Sequence, residues 1–146
     1  MESRISLSWL IGELERRRLS VLVYRDGETI YSSSERGVIP LLRAIDLIGL
    51  EGLRGSIVAD KVIGKAAALL IIYFKASEAH AVLISSHAKE LFLKMGLKHS
   101  YIRETPHILN RDGSDICPFE RLVMDITEPE EAYWRIKAQA SKTLQI

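Results

Sequence analysis

The chain has 146 residues, 47% apolar and 27% charged, with a formal net charge of +1. That balance fits one globular domain, residues 1–146, with a real core. It argues against a dedicated nucleic-acid binder, which carries a basic excess, and against a membrane span, because the longest apolar run, Ala66 to Phe74, falls short of the roughly 20 residues a bilayer requires.

Ile5, Trp9, Leu10 and Leu14 recur at helical spacing and predict a first helix, closed by the basic turn Arg16-Arg17-Arg18. Leu19 to Tyr24 reads as a strand, Asp26-Gly27 as a hairpin turn and Thr29 to Ser32 as a second strand. Pro40 suits the first turn of a helix bearing Leu41, Leu42, Ile45 and Ile48, and Gly49 suits its end. Ser56 to Ala59 reads as a short extended piece leading into a helix capped by Asp60 and running to about Phe74. Ala81 to Ile84 is a short buried strand. Ser85 or Ser86 then caps a helix from about His87 to Lys94, stopped by Gly96. Lys98 to Arg103 predicts another strand and residues 105–116 a polar loop. Pro118 starts a helix of two or three turns, and Thr127-Glu128-Pro129-Glu130 fits a capping box for a last helix to about Thr143. Hairpin strands pair antiparallel, and strands joined by helices pair parallel through right-handed crossovers. The order therefore predicts an α/β domain whose mixed sheet starts with an antiparallel hairpin and carries helices on both faces.

With Asp60 as cap, Lys61 falls in the first helical turn, against the helix dipole, and Lys65 lies one turn further on the same face. Two ammonium groups beside free N–H donors predict an anion seat; the plainer reading is solvent exposure. Gly64-Lys65 is not a phosphate-binding loop, since Ala66 stands where Ser or Thr would hold magnesium. Gly64, with Ala66 to Ala68, instead lets another element approach closely. Cys117-Pro118-Phe119-Glu120 places a thiol at a helix start, a candidate nucleophile with Glu120 or His107 assisting. The plainer reading makes Glu120 a cap and Cys117 a small buried residue. Arg111, beside Asn110 in the polar loop, can grip a carboxylate or phosphate with two N–H groups, or simply project from a turn that Asn110 holds. Ser85 and Ser86 can add donors to the same anion. Cys117 is the one cysteine, which excludes an internal disulfide. The chain also opens without an apolar signal core, and the expectation is a cytoplasmic protein. The four histidines, His80, His87, His99 and His107, lack metal-ligand spacing, so no metal and no cofactor is predicted.

Ala59 to Ala68, Ser85, Asn110-Arg111, Cys117 to Glu120 and the upstream Gly37 to Leu42 together resemble the signature positions of a small uncharacterised prokaryotic family, a domain of unknown function. The resemblance covers about Ser6 to Tyr133. It implies the cytidine-deaminase-like fold, a three-layer α/β/α arrangement in which two helix starts lie side by side and form the pocket. Asp60, Lys61 and Ser85 or Ser86 would then converge. Zinc deaminases place H-x-E at one such start and P-C-x-x-C at the next, and this chain has neither. The resemblance thus implies the scaffold without its zinc chemistry. The resulting expectation is a zinc-free protein that binds a small anionic ligand, such as a nucleotide or phosphate ester, at the convergent helix starts. Lys61 and Lys65 would supply charge, Arg111 a clamp, and Asp60 a cap or acid–base group. Two alternatives stand beside it: an enzyme dependent on Cys117, and a non-catalytic protein-interaction module. Homo-oligomerisation stays open.

Overall fold

The computed structural model describes residues 6–144. Ile5, assigned above to the first helical stripe, lies outside them. In chain order the elements are α1 (Leu7–Arg16), β1 (Val21–Arg25), β2 (Glu28–Ser33), α2 (Ile39–Ile48), α3 (Leu50–Leu53), β3 (Ile57–Ile63), α4 (Lys65–Tyr73), β4 (Glu78–Ser85), α5 (Ser86–Met95), β5 (Lys98–Thr105), α6 (Pro118–Leu122) and α7 (Pro129–Leu144). The five strands form one mixed sheet in the order β2-β1-β3-β4-β5. β1 pairs antiparallel with β2 and with β3, while β3, β4 and β5 run parallel.

The hairpin forms where Asp26-Gly27 permits it. Both residues have positive φ, 50° and 85°, the conformation a two-residue hairpin turn demands. Val21 and Val23 of β1 point to one side with Val58 of β3, and Leu22 points to the other with Ala59. On the Leu22 side, α1 lays down Leu10 and Leu14. On the opposite side, α2, α4, α5 and α7 build the larger core. Helices therefore cover both faces, as the element order predicts.

Helix α4 sits at the centre of the larger core. Residues Ala66 to Ile71 are all buried, so this helix has no solvent face. Its end stacks Tyr73 on Tyr133 of α7, with ring centroids 5.0 Å apart. Tyr133 in turn donates its hydroxyl to Asp46 of α2 at 2.8 Å. The last helix begins at Pro129 with Glu130 and Glu131 in its first turn, a placement the helix dipole favours.

The structure corrects the expected start of α4. Asp60 and Lys61 belong to strand β3, and the helix begins at Lys65 with Gly64 as its cap residue. The β-branched run Ile57, Val58, Val62 and Ile63 carries the extended conformation through Asp60, with partners Val21 on one side and Ala81 on the other. Helix α6 is also shorter than predicted, five residues rather than two or three turns.

Candidate functional site

The starts of α4 and α5 follow the C-terminal ends of the adjacent parallel strands β3 and β4, where open α/β sheets commonly place ligands. The α4 start is the more elaborate. Its cap residue, Gly64, has no side chain to satisfy the first helical N–H groups. Glu120 of α6 does so from 55 positions away in the sequence. Lys65 N–H donates to its Oε1 and Ala66 N–H to its Oε2, both at 2.8 Å. A carboxylate thus straddles two adjacent amides at the positive end of the helix. Gly64 allows the approach: a Cβ built there would meet the Glu120 carboxylate at 2.5–2.6 Å. The Lys65 ammonium donates to Met124 O at 2.9 Å.

The α5 start is capped locally. Ser85 is buried and its Oγ accepts from Ala88 N–H at 3.0 Å. Ser86 instead donates to Glu104 Oε2 at 2.7 Å, and Lys89 pairs with the other oxygen of Glu104 at 3.1 Å. His87 in the first turn of α5 faces His107 of the polar loop, ring centroids 5.6 Å apart. Between these groups lies a small cleft of about 20 Å³, lined by Lys65, His87, His107, Ile108, Ile116, Glu120 and Met124. It shares Lys65 and His87 with a wider groove of about 450 Å³ that runs along Glu90, Lys94 and Met95 of α5 to Thr127, Glu128 and Pro129.

The sequence candidates separate on this map. Lys65 and Glu120 line the cleft, and Ser85 and Ser86 stand at the α5 start beside it. Asp60 does not. It is 5% exposed within β3, its Oδ1 accepts Val62 N–H at 3.1 Å, and burial pushes its carboxyl up to about 8. Lys61 is exposed on the same strand. Asn110 holds its own loop, its Oδ1 accepting from Ser114 N–H at 3.0 Å, and Arg111 is exposed beside it. Cys117 occupies the cap position of α6, half-buried, with no hydrogen bond from its side chain to the helix and outside the cleft lining. Among the described residues, no three His, Cys, Asp or Glu side chains are grouped to hold a metal ion.

Sequence reasoning missed His87 and His107 as neighbours, since 20 positions separate them and only the fold brings them together. It also assigned Glu120 to its own helix. The signal that pointed further was Gly64: read as a glycine within the helix, it implied the close approach of another element, which the structure shows to be Glu120 of α6 at the helix start.

The architecture is thus a mixed α/β sheet with its cleft at the parallel strand ends. The family model for a domain of unknown function, DUF1893, matches residues 10–139. The crystal structure of a DUF1893 family protein from Thermotoga maritima is similar over 95% of each chain, at 32% sequence identity and a TM-score of 0.81. No curated protein matches. The chain belongs to the DUF1893 family.

Proposed function

We propose that this chain is a cytoplasmic, zinc-free protein on a cytidine-deaminase-like scaffold, and that it binds a small anionic ligand in the cleft where α4 and α5 begin. One observation carries the reading. The α4 start holds the side-chain carboxylate of Glu120 across two adjacent N–H groups at 2.8 Å each, so an anion entering the cleft meets a helix start that already favours negative charge and competes with Glu120 for it. Lys65, His87 and His107 border it and supply cationic or donor groups to a ligand entering from the wider groove. Arg111, exposed in the loop whose Ile108 and Ile116 form one wall, is the clamp of the proposal. The ligand class is a nucleotide or other phosphate ester.

A ligand that binds only the folded state raises the melting temperature, by about 2.7 kcal/mol of stability at a hundredfold excess over Kd. Inorganic phosphate or AMP at millimolar concentration and fixed ionic strength should raise the melt of the wild type. The shift should disappear in His87→Ala, an exposed residue whose loss leaves the core intact. Unchanged melts with phosphate, nucleotides and sulfate alike would remove the proposal. The interaction-module reading would then lead, because Leu93, Met95, Leu109 and Met124 are exposed apolar side chains, two of them lining these clefts.

A further inference from the structure

On the sheet face opposite the larger core, β4 and β5 carry a second constellation. Ala79 and Ala81 of β4 point into the core, so His80 between them points to the other face. His80 is 7% exposed and is bonded at both ring nitrogens. Nδ1 lies 2.6 Å from Ser100 Oγ on β5, its direct partner in the parallel ladder. Nε2 lies 2.8 Å from Glu78 Oε1. The second Glu78 oxygen is 3.6 Å from Lys98 Nζ. α1 covers this face over β1 and β3, while Ser100 is partly exposed and Ile102, two residues along β5, is 56% exposed.

The hydrogen bonds fix the proton positions. A carboxylate only accepts, so in the neutral ring the hydrogen sits on Nε2 and is donated to Glu78. Nδ1 then presents its lone pair, and the Ser100 hydroxyl must donate to it. This is a nucleophile bonded to a base that a third group orients. Either imidazole nitrogen can serve as the base; here it is Nδ1.

We propose that Ser100 is an activated nucleophile, with His80 as its general base and Glu78 as the positioning residue, and that it takes acyl groups from small apolar carboxylic esters. Ser100 Oγ attacks the ester carbonyl carbon while its proton passes to His80 Nδ1. The bond from that carbon to the alcohol oxygen breaks, and Nδ1 returns the proton to the departing alkoxide. Water, deprotonated by the same nitrogen, then attacks the acyl-serine, releasing the carboxylic acid and restoring the hydroxyl. Val82 and Ile102, at the same level on neighbouring strands, offer an apolar shelf for the acyl chain beside Ser100.

The test uses the intact chain and diisopropyl fluorophosphate, which phosphorylates activated serines with loss of fluoride, followed by mass mapping of the modified peptide. The expected result is one adduct, on Ser100, absent from Ser100→Ala at an unchanged melting temperature. In Glu78→Gln the labelling rate should fall at least tenfold while the melt holds, a split that a merely structural carboxylate would not give. Release of p-nitrophenolate from p-nitrophenyl butyrate should likewise be lost in Ser100→Ala. No adduct on the wild type, an adduct elsewhere, or ester turnover that persists in Ser100→Ala would each overturn the proposal.

Discussion

Asp60→Asn is expected to stabilise the protein, by an amount that grows with pH. Burial raises the folded-state carboxyl from 3.8 to about 8, while the unfolded chain keeps the ordinary value. Between those values the folded state holds one proton more than the unfolded state, so stability falls as pH rises, by about 1.4 kcal/mol per unit. Below the unfolded value both states are protonated and nothing is lost. Above about 8 both are ionised and the full cost is present, on the order of 5 kcal/mol. Asparagine keeps an acceptor for Val62 N–H and carries no charge, so it should abolish the slope. The other carboxyls with displaced titrations, Glu13, Glu104 and Asp112, all move downward, each led by a side-chain hydrogen bond, and act at acid pH outside this window. Melting temperatures from pH 5 to 8 decide the matter: a wild type no more pH-sensitive than Asp60→Asn would mean that Asp60 is ionised and paired.

Glu120→Ala should destabilise the protein by about 2–4 kcal/mol, because it strands two part-buried amides that a carboxylate now satisfies. Gly64→Ala should approach the same cost, since the new methyl group would occupy the space of the carboxylate. The two changes remove one interaction, so they should not add. In the Glu120→Ala background the glycine substitution meets no carboxylate and should cost less than half its effect in the wild type. Denaturant melts of the four proteins complete the cycle. Additive costs would show that Gly64 serves some purpose other than admitting Glu120.

The parts of the fold that rest on local chemistry were legible. Asp26-Gly27 marks its turn because both residues accept positive φ, and Gly49 and Gly96 end their helices for the same reason. Ser85 caps α5 as its residue type suggests. The β3–α4 boundary was not legible. The bond that makes aspartate a good cap, an N–H two residues on donating to its carboxylate, is present from Val62 to Asp60 but lies within a strand. The apolar pair Val62-Ile63 beyond Asp60-Lys61 is also too short for periodicity to assign it to strand or helix. The site failed to show for a different reason. Glu120 satisfies a helix far from its own, and His80, Ser100 and Glu78 meet only once β4 and β5 are in register. Spacing in the sequence carries neither fact.

The strand order departs from chain order only at the hairpin. Each strand after β2 therefore docks beside one already formed, and the sheet can assemble progressively as the chain emerges during synthesis, with little loop-closure entropy at each step. The exceptions come from the last segment: Glu120 reaches back 55 positions to Lys65, and Tyr133 reaches back 87 to Asp46. These contacts fasten a sheet whose own pairings span shorter separations, at most 39 positions from Val21 to Asp60. Removing them should shorten the lifetime of the native state without delaying its formation. In stopped-flow measurements Glu120→Ala should raise the unfolding rate and leave the refolding rate within a factor of two; a slowed refolding limb would place the clamp in the folding nucleus instead.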